Sequence, residues 1–334
     1  MEKNPENLEW VKDLPLQSED IGFKPEEMIS CRKCGRSNPP TRLNCFYCAE
    51  DLEIPNELSH TAKLNLRKLE DWEKGFNIIH LPDTEADDPD IAAIARFLSI
   101  ENEILIQILE VGKPLPLARI GSQKETEIAV QTLSQLGLPC YMVSDEILAA
   151  DKFPIRLREI EFADDSLVLT AFNTGEKTDI HRGEIVLIVT GAVFESKTEA
   201  LEKRKKKQTR LLSETQTTAD ELLIDIYGSD DVIGYRIPAK GFDFSCLGSD
   251  KGLLAGENLR HLTAKLRSFA QAAKLVDDYL LNREALGMVW DIERRKDSYG
   301  LQRSGFGKTD LKKVVSSNNL LQFTKYSRLH RHLL

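Results

Sequence analysis

The sequence predicts an α+β chain of several modules: a small cysteine knuckle, a β-α-α-β-α-β domain, and a set of seven short strands followed by a helix. Three observations carry this. Four of the six cysteines fall between residues 31 and 48 as two Cys-x-x-Cys pairs. Residues 76–146 alternate strand-like apolar runs with capped segments of 3.6-residue period. Residues 155–275 switch to short runs broken by turn residues, and close on a single helical pattern.

The modules follow in order. Residues 1–28 form an acidic N-terminal arm whose one apolar island, WVKDLPL at 10–16, is either a docking motif or an arm packed on the body. Residues 29–52 are the knuckle. Residues 53–75 link it onward through a helix at 58–72, with Leu58, Ala62, Leu66, Leu69 and Trp72 near one face. In residues 76–146, FNIIHL is a strand, the run from Asp87 to Ser99 a helix with aspartates and Pro89 at its start, and IENEILIQILEVG a second helix ended by Gly112. PLPLARIG is a strand. The next helix has Ser122 as N-cap, Glu125 completing a capping box and Gly137 at its end, and LPCYMV is the closing strand.

Residues 155–275 hold IRLREIEF, SLVLTAF, KTDIHR, EIVLIVTGAVF, ELLIDIYG, VIGYRI and FDFSCL, then the helix ENLRHLTAKLRSFAQAAKLV. A charged insertion at 195–220 interrupts them and carries Lys203, Arg204, Lys205, Lys206 and Lys207. Residues 276–334 read as a basic helical tail. Its last stretch, LLQFTKYSRLHRHLL, forms either an amphipathic helix with Leu320, Phe323, Tyr326 and Leu333 along one side, or a helix packed on its own domain.

Composition narrows the function classes. The 334 residues suffice for two or three compact domains, with 41% hydrophobic and 30% charged residues. A net charge of -9 argues against nucleic-acid binding by the chain as a whole. The charge is uneven, however: residues 1–30 carry eight acids and three bases, residues 293–334 ten bases and three acids. The start, MEKNPENLEW, lacks the basic and apolar regions of a signal peptide. The most apolar run, at 184–194, is far shorter than the roughly 20 residues that span a bilayer. The expectation is a cytoplasmic protein in which Cys140 and Cys246 are small buried thiols.

The run CRKCGRSNPPTRLNCFYC carries the chemistry. Each Cys-x-x-Cys turn presents two thiolates to one metal, and two turns complete a tetrahedron of Cys31, Cys34, Cys45 and Cys48. Gly35 supplies the permissive backbone after the second thiolate, and Asn38-Pro39-Pro40 the return turn. Zinc is the expected ion, with a rubredoxin-like iron or a redox dithiol pair as alternatives. Four protein ligands leave no position for water or substrate, so the ion is structural.

Three resemblances add expectations. The knuckle resembles the zinc ribbons found at the N-termini of bacterial regulatory proteins. Its spacing is also similar to the Ran-binding-protein type finger, a family that includes readers of single-stranded RNA. In this chain Ile29 and Pro39 stand where that family has aromatics, which leaves Arg36, Asn38 and Arg42 as its RNA-contact candidates. The β-α-α-β-α-β segment resembles the C-terminal domain of the ribosomal stalk protein and the Clp protease adaptor, which implies a partner-binding module. Residues 155–275 resemble a pleckstrin-homology-like barrel closed by its helix. In that frame the lysine-rich insertion is either an anionic-surface site or a solvated loop.

No catalytic frame emerges. GFGKT at 305–309 has Gln302 where a phosphate loop needs its first glycine, and no G-x-S-x-G elbow or Cys/His pair occurs. The expected function is a non-enzymatic scaffold or adaptor with one structural zinc, binding protein partners. The alternative is a nucleic-acid- or ribosome-associated factor that uses the knuckle and the basic segments. Peripheral membrane contact through the basic tail stays open.

Overall fold

The computed structural model describes residues 23–55, 69–70, 73–82, 88–205, 208–305 and 308–334. The acidic arm up to residue 22 and most of the expected helix at 58–72 lie outside the described residues. Leu69 and Glu70, which are described, are not helical. Two compact units form, Met1–Asn65 and Leu66–Leu334.

In the first unit β1 (Ile29–Ser30) pairs antiparallel with β2 (Ser37–Asn38). A small core of Ile29, Cys31, Cys45 and Leu52 sits beneath them. So little apolar surface is a weak basis for a fold, and an ion held by the four cysteines would add to it.

The second unit begins with the expected order of strands and helices. These are β3 (Phe76–His80), α1 (Ile91–Leu98), α2 (Asn102–Glu110), β4 (Pro116–Ile120), α3 (Gln123–Gln135) and β5 (Cys140–Ser144). The sheet order is β4-β3-β5, with β3 antiparallel to both neighbours. The helix ends follow the sequence signals. The Asp90 carboxylate accepts from the Ala93 N–H, the Ser122 hydroxyl accepts from the Glu125 N–H, and Gly112 and Gly137 take positive φ just past their helices. A short helix, α4 (Asp145–Leu148), leads out of this layer.

The remainder is one nine-stranded sheet. Its strands are β6 (Ile155–Phe162), β7 (Ser166–Ala171), β8 (Lys177–His181), β9 (Ile185–Lys205), β10 (Gln208–Gly228), β11 (Tyr235–Pro238), β12 (Lys274–Val276), β13 (Glu293–Gly305) and β14 (Lys308–Asn318). They run in the order β13-β14-β9-β10-β11-β6-β7-β8, with β12 beside the base of β9. Among the described residues the sheet stays open, so the expected seven-stranded barrel is not formed. The reason is edge occupancy. The side of β9 away from β10 is taken by β12 and β14, which leaves β8 as a terminal strand paired with β7. Helix α5 (Ala255–Phe269) covers one face, burying Leu259, Leu262 and Leu266 against Leu157, Leu169, Ile226 and Ile237. Each such side chain contributes roughly 1.5–3 kcal/mol of burial.

Three further expectations are corrected. The run at 242–247 is a 3-10 turn rather than a strand, because Asp243 turns its carboxylate back onto the Ser245 N–H and hydroxyl. The charged insertion is no loop: β9 and β10 run on as 21-residue partners, which places Lys203, Arg204 and Lys205 in β9, while Lys206 and Lys207 lie outside the described residues. The basic helical tail is instead a hairpin, β13–β14, framed by α6 (Tyr279–Leu286) and α7 (Leu320–His332).

Helix α7 is the keystone of this unit. Phe323, Tyr326 and Leu329 are fully buried, and so are Gln322, Thr324, Ser327, Arg328 and His330. Several of its polar groups are bonded inside. The Tyr227 and Ser327 hydroxyls bond at 2.7 Å, Tyr279 donates to Gln322 Oε1 at 2.8 Å, and Gln322 Nε2 donates to the Trp290 carbonyl at 2.9 Å. Arg328 donates to the carbonyls of Ala149 and Lys152, and Trp290 Nε1 donates to Asn77 Oδ1 at 2.8 Å, which ties the α/β layer to the large sheet. A helix buried on this face cannot lay Phe323 and Tyr326 on a membrane, so the amphipathic reading of the tail is withdrawn. Among the described residues no helix is long and apolar enough to cross a membrane.

Candidate metal centre

Each half of the ribbon is built the same way. In the first knuckle the Cys31 N–H donates to the Arg36 carbonyl and the Gly35 N–H to the Cys31 carbonyl. In the second the Cys45 N–H donates to the Glu50 carbonyl and the Ala49 N–H to the Cys45 carbonyl. The residue after each second cysteine is left-handed, Gly35 at φ 69° and Ala49 at φ 57°. The sequence marks the first of these by its glycine. It gives no such mark for Ala49, which bears the strain of an L-residue in that region.

The four sulfurs lie within 4.8 Å of one another. Cys31 and Cys48 Sγ are 3.6 Å apart, and Cys34 and Cys45 Sγ 3.5 Å apart. Tetrahedral zinc with bonds of about 2.3 Å sets sulfurs about 3.8 Å apart, so the cluster fits one ion. The cavity is also prepared for charge. Burial alone would raise the Cys45 thiol. The N–H groups of Tyr47 and Cys48, with Cys34 and Asn38, outweigh it and bring the group down to about 6. At Cys48 the Glu50 N–H lowers the value, but burial and the three neighbouring sulfurs outweigh that and push it up to about 12. The Cys45 thiolate is therefore ready at neutral pH, and a cation would be needed to hold Cys48 deprotonated. The ligand set has no open position.

Asn38, expected as an RNA contact, is fully buried. Its Nδ2 donates to Cys45 Sγ at 3.5 Å and to the Arg36 carbonyl, and its Oδ1 accepts the Phe46 N–H at 2.8 Å. It supports the second knuckle from within and offers nothing to a ligand. Arg36 and Arg42 are exposed, and each lies over a ring. The Arg36 guanidinium is 4.5 Å from the Tyr47 centroid and that of Arg42 is 5.1 Å from Phe46. Phe46 and Tyr47, which the sequence reading does not single out, are 69% and 52% exposed.

Within the second unit one cleft of about 640 Å³ opens between the α/β layer and the start of α7. Its floor is the pair Arg119–Asp145, 2.6 Å apart. Asp145 Oδ2 accepts from Gly75 N and from Arg119 Nε and Nη2, and its Oδ1 accepts from Asn77 Nδ2. Burial would raise its carboxyl, but Arg119, Lys325 and Asn77 hold it below the usual range. Among the described residues the cleft lining includes no histidine, cysteine or serine, and Asp145 is committed to Arg119, Asn77 and the Gly75 N–H. Cys140 is buried and its thiol pushed up to about 12, while Cys246 is half-buried and raised by burial.

No protein-family model, no curated protein and no solved structure matches this chain.

Proposed function

We propose that this chain is a cytoplasmic, non-enzymatic adaptor that binds protein partners and carries one structural zinc on Cys31, Cys34, Cys45 and Cys48. The observation that carries the reading is the closed four-sulfur cluster. It is a folding device whose outer face, not its metal, meets a ligand. The Arg119–Asp145 pair in the cleft supports the same reading, because its bonds to Gly75, Asn77 and Arg119 fix structure. A second reading, a nucleic-acid- or ribosome-associated factor, draws on the arginines stacked on Phe46 and Tyr47. Affinity capture of the tagged full chain, with nuclease and at high salt, tests the first. The adaptor reading expects a protein partner that survives both and captures the chain reciprocally. Association that vanishes with nuclease would contradict it.

A further inference from the structure

We propose that copies of this chain join head to tail through the large sheet, the free edge of β13 in one copy pairing antiparallel with the free edge of β10 in the next. This goes beyond the adaptor reading and stands without it. The outer part of the sheet is four antiparallel strands in the order β13-β14-β9-β10. β9 lines one side of β10 from end to end, but β11 meets the other side only from Leu223 to Ile226. Among the described residues, 213–220 have no ladder partner on that side, and β13 ends the sheet. Residues 213–220 are also exposed one after another, so what this edge offers a partner is its backbone. The usual devices that blunt an edge are missing from it. The segment holds no proline and no lysine, and the register shifts of β10 fall outside it, at 211–213 and 227–228.

The two edges match in hydrogen-bond phase. The Ala239 N–H donates to the Leu222 carbonyl at 2.9 Å, so even-numbered residues of β10 turn their N–H and C=O away from β9. Gln216 and Thr218 are therefore outward residues, while Thr217 faces Lys197 on β9. The alternation carries across the sheet without a shift: Ser196 of β9 faces Ser317 of β14, and Ser316 of β14 faces Arg295 of β13. Arg294 and Lys296 are then the outward residues of β13. Across the four strands Arg294 is level with Thr218, and Lys296 with Gln216. A second copy set beside the first at the same level thus brings outward residues opposite outward residues. Each such pair can exchange two N–H···O bonds.

Charge selects the partner edge. Residues 213–221 carry three acids and no base, and residues 293–296 three bases and one acid. Glu214 and Asp220 are exposed on β10, and Arg294 and Lys296 on β13. In the level register Asp220 lies diagonal to Arg294 and Glu214 diagonal to Lys296, all on one face and within reach of long side chains. Two β10 edges would set acid against acid, and two β13 edges base against base, so like edges repel and unlike edges attract. Direction agrees with charge. With an even number of antiparallel strands the two edges run in opposite senses, so a copy added without inversion continues the antiparallel ladder. Such a contact is heterologous. Sheet twist turns each copy relative to the last, so the assembly stays open and does not close into a dimer.

The test is sedimentation velocity of the zinc-loaded full chain over rising concentration at low salt. The average mass should climb past that of a dimer without a plateau, and raising salt from about 50 mM to about 500 mM should weaken association roughly tenfold. Thr218→Pro removes an outward N–H and no ladder bond to β9, so it should weaken association roughly tenfold while the circular dichroism spectrum is unchanged. Charge reversal gives a second handle that leaves the backbone alone. Arg294→Glu with Lys296→Glu makes both edges acidic, and Glu214→Lys with Asp220→Lys makes both basic. Each double variant should stay monomeric by itself, and an equimolar mixture of the two should assemble again. A chain that is monomeric at every concentration, or a mass that levels off at two copies, overturns the proposal. So do charge-reversed variants that self-associate like the parent, or a mixture of them that stays monomeric.

Discussion

Asp225 and Arg236 face each other across the β10–β11 ladder as register partners. Their side chains meet in two parallel bonds of 2.6 and 2.7 Å, and a third runs from Arg236 to Thr324 on α7. The Asp225 side chain has no exposed surface and that of Arg236 has 9%. Replacing Arg236 by Met strands a buried carboxylate, and replacing Asp225 by Leu strands a buried guanidinium. Each single change should cost roughly 3–5 kcal/mol. The double variant Asp225→Leu with Arg236→Met removes both charges and keeps the volume, so it should return to within about 1–2 kcal/mol of the parent. The coupling energy then exceeds about 3 kcal/mol. The assay is urea unfolding of the second unit followed by circular dichroism. A loss under about 1 kcal/mol for Arg236→Met would refute the reasoning, because it would mean water reaches the pair and α7 does not seal it.

Other outcomes follow from the same geometry. His330 is buried with neither ring nitrogen bonded, packed at 4.5 Å on Tyr326 and faced by Asp278, Lys274 and Lys113. Burial brings it down to about 4, so the unfolded chain takes the proton first. Stability should fall by roughly 3 kcal/mol as pH drops from about 6.5 to about 4, and His330→Phe should flatten that slope in pH-dependent unfolding, apart from a smaller share from buried His80. At Ala49 the left-handed φ predicts that Ala49→Gly tightens zinc binding by about 1 kcal/mol, while Gly35→Ala, with nothing within 4 Å of its new methyl, loosens it by a similar amount in metal-competition titrations. A methyl at Gly191 would strike the Phe323 ring and lie 2.9 Å from Tyr279, so Gly191→Ala should cost about 1–3 kcal/mol in thermal unfolding.

The sequence is legible where local chemistry sets the structure. Cysteine spacing finds the ribbon because two turns must converge on one ion. Asp90, Ser122 and Gly137 bound their helices because caps are local bonds. The outer halves of β9 and β10 were opaque for the opposite reason. Residues 213–220 are exposed one after another, so no buried face imprints a period of two, and the strands persist through their ladder partners. Helix α7 was opaque because Arg328, Gln322 and His330 look like surface residues. Their partners, the carbonyls of Ala149, Lys152 and Trp290 and the Tyr326 ring, are mostly far away in sequence. β12 is three residues added to a strand that is itself long, which leaves no pattern to read. At the ribbon the ligands were plain, whereas the places of Asn38 and of Phe46 and Tyr47 were not. A polar residue went inside to hold a sulfur, and two aromatics went outside.

The most direct test of the account is the metal itself: its content by elemental analysis and its coordination by X-ray absorption on the purified full chain. The account predicts one zinc per chain with four sulfur neighbours at about 2.3 Å, no lighter ligand, and loss of the ion in Cys31→Ser with Cys45→Ser while the unfolding transition of the second unit is unchanged. Iron, a nitrogen or oxygen in the coordination sphere, or zinc well below one per chain would contradict it, and so would a second unit that unfolds along with the ribbon.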